Sequence, residues 1–448
     1  MKRSFVCILI CLSFCVSLCA CAGGGGAGLS GPVVLGGEYM ENRFGRAYFE
    51  RARVGLFTHY TYATYDESKG TDWGGTWYSK DDSRPASSPE EAAAMFDGEE
   101  YARTAHDLGA EYVVFTLAHA GFNLLFPSET MKAAGCPHKC TEKSDVVAKL
   151  IAGLDKYGIP LVLYLPPNDS HDISDGDLKK MGWRSDRARM NFLKKLIREL
   201  YERYGYGISG FWFDQGGPSE DVCDLVRECD PDAVIFINTG VTANTEKHPL
   251  SDFIVSEYYG SIAAGDSDAL TTHYSQVNRQ IGNWWASGNS APTDARSIYR
   301  YSVRTAATQG QFNAGVAWAC GPYIDQTWED GVRELLAQTG GLLRLHEGIY
   351  GTVPGKSYVT APDVPLEKGD WGVSTESPDG STVYLHVLNP PEDGVLTLPA
   401  PADGKRFVKA EYGSQSLEMQ RDGGGYSIVM PGTCDPTDTV IRLTAGSP

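Results

Sequence analysis

The chain has 448 residues, of which 42% are hydrophobic and 21% charged, and it carries a formal net charge of -18. The composition is near the globular average, which excludes a disordered chain and a polytopic membrane protein. The acidic balance excludes a nucleic-acid binder, because a polyanionic backbone needs a basic surface.

The N-terminus carries Lys2 and Arg3 ahead of an apolar run from Phe5 to Val16. That order of charge and then core is the pattern of a secretory leader, and the run is too short to span a bilayer. Leu18-Cys19-Ala20-Cys21 resembles a bacterial lipobox, which predicts a leader over 1–21 and a lipid on Cys21. The glycines from Gly23 to Gly26 then begin a flexible tether over 22–40. The expected location is a bacterial cell envelope, with membrane attachment through the N-terminal lipid only.

Strand-like and helix-like segments alternate from about residue 54 to about residue 345. Val54 to Thr58, Tyr112 to Thr116, Pro160 to Leu165, Gly210 to Asp214, Val234 to Asn238 and Phe253 to Glu257 are short, apolar and rich in β-branched or aromatic residues. Continuous apolar character suits strands buried on both faces. Between them, Ser144 to Lys156 and Arg187 to Tyr204 have helical spacing, with Ser144 as the expected N-cap of the first. Repeated strand-then-helix order predicts parallel pairing, and hence an α/β fold with a (β/α)8-like barrel of the TIM type over 41–352.

Helical spacing stops after the segment that ends near Leu345. Asp370 to Ser374, Thr382 to Leu388, Val395 to Leu398, Phe407 to Tyr412, Tyr426 to Met430 and Thr439 to Leu443 are strand-like runs separated by Gly, Pro and Asp turns. They predict a small antiparallel β-sandwich over 353–448, whose expected role is to brace the barrel.

Several barrel strands deliver one polar group at the same end. Val54 to Thr58 leads to His59, Tyr112 to Thr116 to His119, Phe211-Trp212-Phe213 to Asp214, and Phe253 to Ser256 to Glu257. The C-terminal end of such strands is where a parallel barrel gathers its chemistry. Two carboxyl groups on one mouth are what glycosidic bond cleavage requires: one attacks or activates water while the other protonates the leaving oxygen. Asp214 is the expected nucleophile and Glu257 the expected acid/base, with Glu246 and Asp252 as rivals for the second role. The flanking rings of Trp212 and the side chains of His59, Trp77 and His119 are candidates to stack on a sugar and hold its hydroxyls.

At these residues the chain resembles glycoside hydrolase family 29, the α-L-fucosidases. Val54-Gly55-Leu56-Phe57-Thr58-His59 looks like the family's opening strand and histidine, and Thr76-Trp77-Tyr78 like its Glu-Trp-Tyr segment. His119-Ala120-Gly121-Phe122 with Phe126-Pro127-Ser128 resembles the His-His-Asp-Gly-Phe loop and Trp-Pro-Ser. The third strand ends in Tyr164, whose counterpart lies in the family pocket, and Trp212-Phe213-Asp214 occupies the nucleophile motif. His346-Glu347-Gly348-Ile349-Tyr350-Gly351-Thr352 is close to the family's barrel-to-sandwich junction.

The resemblance implies an exo-acting, retaining hydrolase that releases terminal fucose from a fucosylated or related glycan by double displacement. Its departures fall at the pocket. Thr76 replaces a glutamate, Ala118 the first histidine of the family pair and Ala120 the aspartate, and Tyr60-Thr61 replaces Trp-Gly. No arginine occurs from Asn238 to Thr245, where many members place one. Such losses leave open a changed sugar specificity, for which Phe122, Trp284 and Trp285 could line the region around C6, or a catalytically silent glycan-binding protein.

No cofactor is expected, since a carboxyl pair supplies the chemistry. Five of the 11 cysteines lie at or before Cys21. Among the remaining six, Cys136 with Cys140 and Cys223 with Cys229 are locally plausible disulfides. Zinc is not expected at Cys136 to Cys140, because no second ligand pair with matching spacing is present.

Overall fold

The structure, a computed structural model, describes residues 44–62, 85–239, 247–258, 276–280, 294–308, 315–359 and 370–446. Eight parallel strands make the first sheet: β1 (Val54–Thr58), β2 (Tyr112–Thr116), β3 (Leu161–Leu165), β4 (Gly210–Phe213), β5 (Val234–Ile237), β6 (Val255–Tyr258), β7 (Gln276–Gln280) and β8 (Gly315–Ala319). Their order is β5-β4-β3-β2-β1-β8-β7-β6. The two ends of that order meet where the Asp252 N–H donates to the Ile235 carbonyl at 2.8 Å and the Ile237 N–H donates to the Ser251 hydroxyl at 3.0 Å. The expected (β/α)8-type barrel is the fold.

Alternation along each strand sorts side chains between two cores. Phe57, Tyr112, Val114, Val162, Tyr164, Trp212, Val234, Phe236, Val255 and Ala317 fill the barrel interior. Leu56, Val113, Phe115, Leu161, Leu163, Phe211, Phe213 and Ile235 pack outward against the helices. Both faces are therefore dry, which is why these strands read as unbroken apolar runs. The N-terminal end is stoppered by Phe49, edge-on to Tyr112 at 5.6 Å and to Phe236 at 5.8 Å. Gly55 makes room for the Tyr112 ring, since a Cβ there would stand 2.3 Å from its atoms.

Helix ends follow local chemistry with one correction. The helix Val146–Asp155 is capped by the Asp145 carboxylate, which accepts from the Ala148 N–H at 2.8 Å, and not by Ser144. The Ser144 hydroxyl and N–H are instead taken by Glu90 from the neighbouring helix Pro89–Met95.

The C-terminal part is two antiparallel sheets. One contains β9 (Val353–Pro354), β10 (Gly372–Glu376), β11 (Thr382–Val387), β13 (Phe407–Tyr412), β14 (Gln415–Ser416) and β17 (Thr439–Ala445). The other contains β12 (Val395–Leu398), β15 (Met419–Asp422) and β16 (Gly425–Val429). Between them lies a separate core that includes Val383, Leu385, Leu396, Phe407, Ile428 and Ile441. β14 and β15 are exposed and polar, so no alternating apolar signal marked them in the sequence.

The sandwich is locked to the barrel by a buried polar node. Asp438 accepts from the Tyr299 hydroxyl of the helix Ala295–Ala307 at 2.7 Å and pairs with Nδ1 of His386 at 2.7 Å. The Arg53 guanidinium, fully buried under the barrel, donates to the Thr352 carbonyl at 2.8 Å.

The plausible disulfides are absent: Cys136, Cys140, Cys223, Cys229, Cys320 and Cys434 are all free thiols. The Cys136 thiol turns to Asp177 at 3.4 Å, and His138 Nε2 reaches the same carboxylate at 3.1 Å. Burial pushes the Cys136 thiol up to about 11 and the Cys223 thiol up to about 12, so both stay protonated. Among the described residues no cluster of three His, Cys, Asp or Glu side chains could hold a metal ion, and no helix is long and apolar enough to cross a membrane.

Candidate active site

Counting by twos along the inward faces leads to one polar layer at the C-terminal mouth. Phe57 is followed by His59, Val114 by Thr116, Trp212 by Asp214 and Phe236 by Asn238. Each polar residue sits one step above an interior apolar side chain. The strands thus present their chemistry at one level.

Asp214 is held by both oxygens. Oδ2 accepts from the Tyr164 hydroxyl at 2.6 Å, and Oδ1 accepts from the Asn238 amide at 2.9 Å. Charge-assisted hydrogen bonds of this kind fix a carboxylate's rotation as well as its charge. The turn beneath it is equally constrained. Gln215, Gly216 and Gly217 all have positive φ, at 53°, 87° and 77°. The Asn168 amide bridges the Gln215 and Gly217 carbonyls at 2.9 and 3.1 Å, and Arg189 in turn holds the Asn168 oxygen.

Two imidazoles and a phenol pack beside this carboxylate. His59 lies 4.8 Å from His119 and 4.7 Å from Tyr164 between ring centroids, and His119 stacks on Tyr164 at 5.7 Å. His59 Nδ1 is 2.7 Å from the Thr116 hydroxyl, which itself donates to the Thr58 carbonyl at 2.8 Å. With that proton spent, Thr116 accepts, so His59 carries its proton on Nδ1 and Nε2 is the acceptor of the neutral ring. Burial, and then repulsion from His119, holds His59 well below the usual histidine range. Burial lowers His119 as well, partly offset by the Asp169 and Asp214 carboxylates. Both rings are therefore neutral at neutral pH, able to donate through one nitrogen and accept through the other.

The loop bearing His119 is folded tightly. Gly121 and Phe122 both have positive φ, at 79° and 47°. The buried Lys139 ammonium donates to the Gly121 carbonyl at 2.6 Å, while the Gly121 N–H donates to the His171 carbonyl at 2.7 Å. Phe122 is fully buried against Trp183 and Phe192 and so serves packing. Ala118 and Ala120 are also buried, at 0% and 1% exposure.

His59, His119, Tyr164 and Asp214 are thus brought together. Trp212, expected against the sugar, is not in that layer: it is fully buried one step lower, 5.2 Å from Phe57 and 5.3 Å from Phe236. Alternation demands this, since Phe211 and Phe213 face the helices and Trp212 the interior. Glu257 stands two residues beyond inward-facing Val255, inside β6 rather than at its tip. Its side chain lies outside the described residues, as do Trp77, Thr76, Glu246, Trp284, Trp285 and Cys21.

The rival Asp252 is excluded from the mouth by its partners. It precedes β6, at the opposite end of the barrel, where Arg227 reaches both its oxygens at 2.7 and 2.6 Å and the Ile235 N–H donates at 2.7 Å. The unforeseen members of the site are Asn238 and Thr116. Continuing the alternation to the polar residue that closes each apolar run is the signal that finds them.

The alpha-L-fucosidase family model matches residues 38–310, more than half of the chain. No curated protein sequence matches. Among solved structures, an α-L-fucosidase of family GH29 from Bacteroides thetaiotaomicron, trapped as a covalent intermediate, superposes with a TM-score of 0.63 at 19% identity, covering 88% of this chain and 94% of its own. An α-fucosidase from Thermotoga maritima bound to a mechanism-based inhibitor gives 0.62 at 17% identity, covering 88% and 96%. α-L-Fucosidase isoenzyme 1 from Paenibacillus thiaminolyticus gives 0.62 at 16% identity, covering 90% and 98%. At these identities the structures speak for the fold, and the family model speaks for membership. The chain belongs to the α-L-fucosidase family, GH29, of the glycoside hydrolases.

Proposed function

We propose that the protein is an exo-acting α-L-fucosidase that works with retention of configuration. The observation that carries this reading is Asp214 at the tip of β4, with one oxygen on the Tyr164 hydroxyl at 2.6 Å, the other on the Asn238 amide at 2.9 Å, and two neutral imidazoles alongside. A carboxylate so fixed can attack an anomeric carbon without first reorganising. Glu257 protonates the leaving oxygen as Asp214 forms the glycosyl-enzyme, then deprotonates the water that releases the sugar. The neutral rings of His59 and His119 hold sugar hydroxyls. The B. thetaiotaomicron relative, trapped covalently with 2-fluoro-fucosyl fluoride, supports a covalent route for this fold.

The leader pattern supports a lipid-anchored protein of a bacterial envelope, attached through Cys21 and acting on fucosylated glycans beyond the tether. No cofactor enters the proposed chemistry.

The test is hydrolysis of a panel of aryl α-L-fucosides and aryl galactosides by the protein from Cys21 onward, with Asp214→Asn beside it. Fucoside turnover abolished by the substitution supports the reading. Turnover of another glycoside alone moves the specificity, turnover surviving in Asp214→Asn removes the nucleophile assignment, and silence across the panel favours a protein that only binds glycans.

A further inference from the structure

Two buried polar atoms beside the site have no hydrogen-bond partner among the described residues: Nδ1 of His119 and Oδ2 of Asp169. Asp169 belongs to the loop leaving β3, next to the strand whose loop carries His119. It is 2% exposed. Its other oxygen, Oδ1, accepts from the His171 N–H at 2.9 Å and pairs with the His171 ring at 2.6 Å, while its carbonyl accepts from the Trp183 indole at 2.7 Å. The two loops are tied by the Gly121 N–H on the His171 carbonyl at 2.7 Å.

Buried polar atoms are nearly always satisfied, so two unsatisfied ones of complementary type on joined loops call for an explanation. Nδ1 of an imidazole can donate, and a carboxylate oxygen only accepts. Catalytic hydrogen bonds are often long in a ligand-free site and tighten when substrate binds. The Asp169 charge already acts on His119, raising its basicity against the effect of burial.

We propose that Asp169 is a positioning residue for His119: its Oδ2 receives the Nδ1 proton of His119 when the sugar binds, and so fixes the ring with Nε2 as acceptor for a sugar hydroxyl. This rests on His119 being a sugar ligand of the fucosidase proposed above. It gives the pocket a carboxylate–imidazole pair from adjacent loops, where the chain carries Ala118 and Ala120 in place of a histidine and an aspartate of the resembled loop. Asp169 then serves two histidines at once, His171 through Oδ1 and His119 through Oδ2.

The experiment is 15N NMR of the histidine rings in the wild-type protein, free and titrated with L-fucose, together with Asp169→Asn and His171→Ala. Wild type is expected to hold the Nδ1–H tautomer of His119 with sugar bound. Asp169→Asn should lose that tautomer preference and fall by about 10- to 100-fold in kcat/KM, whereas His171→Ala, which keeps the carboxylate, should retain the tautomer. An Nε2–H tautomer in sugar-bound wild type, or an unchanged tautomer in Asp169→Asn, overturns the proposal. If Asp169→Asn does not fold, the wild-type tautomer still decides. The ring spectrum is read separately from turnover. A panel silent toward fucosides therefore removes the fucosidase reading, while the tautomer of the free and glycan-titrated protein still judges the Asp169–His119 pair.

Discussion

Asn238 and Asp214 end neighbouring parallel strands at the same level, and the amide of the first donates to Oδ1 of the second at 2.9 Å. Asn238 is itself 2% exposed, and its N–H and carbonyl bond the Phe213 carbonyl and the Gly216 N–H across the two strands. The amide is thus a fixed part of the nucleophile's setting. Replacing it by alanine frees one carboxylate oxygen, and a hydrogen bond to a charged group contributes about 1.5–3 kcal/mol. Asn238→Ala is expected to lower kcat on an aryl fucoside by about 10- to 100-fold. A drop below about threefold would show that the Tyr164 hydroxyl alone orients Asp214.

Removing the nucleophile should do far more. Asp214→Gly is expected to cost about 10⁴-fold or more in kcat, in line with what loss of such a group does elsewhere. Azide should restore part of the turnover, since the vacated space admits a small anion at the anomeric carbon. In the wild type, proton NMR of the first-formed sugar should show the α anomer, as retention with carboxyls about 5–5.5 Å apart requires. An initial β anomer would mean inversion and a direct attack by water, and would take the nucleophilic role from Asp214.

Much of this arrangement was legible beforehand, and what was not has identifiable physical causes. The six strands expected in the barrel all form, because burial on both faces writes a continuous apolar run into the sequence. β7, Gln276–Gln280, carries no apolar run and so gave no such signal. His59, His119 and Asp214 stood out in the sequence because each follows an apolar run, and Tyr164 only through the family resemblance; the structure brings the four side chains together. Trp212 was misplaced by treating aromatics near an acid as sugar platforms, when alternation already sent it inward below the mouth. Asn238 was read only as the last residue of an apolar run. The N-cap of Val146–Asp155 went to Asp145 because Glu90, distant in sequence, claims Ser144.

The proposed anchor at Cys21 is open to a direct test. Expressed in a bacterium with its leader, the full chain should partition into the detergent phase and incorporate labelled fatty acid. Cys21→Ser should abolish both and leave hydrolysis by the released protein unchanged, since the first barrel strand begins at Val54. Label incorporated by Cys21→Ser would move the lipid to another cysteine of the leader.

Gly55 offers a test of the barrel interior that is independent of function. A methyl group there would meet the Tyr112 ring at 2.3 Å. That ring is fully buried and edge-on to Phe49, with little room to retreat. Gly55→Ala is expected to destabilise the protein by about 1–3 kcal/mol, the usual range for overpacking a dense core. A denaturant midpoint equal to wild type would show that Tyr112 can swing aside.

The neutral histidines predict how stability depends on pH. His59 is held well below its ordinary value by burial and by His119, and His119 is lowered too. In the unfolded chain both titrate near about 6.5. As pH falls through that value the unfolded state binds protons that the folded state refuses, so stability is full above about pH 6.5 and declines below it. For His59 alone the loss by pH 5 is up to about 2 kcal/mol. Denaturant titrations at pH 7.5 and pH 5 should therefore show a larger drop in wild type than in His59→Gln, which has no imidazole to protonate. Equal drops in the two proteins would mean that His59 takes up its proton in the folded state, and with it the uncharged donor–acceptor role assigned to that ring would fall.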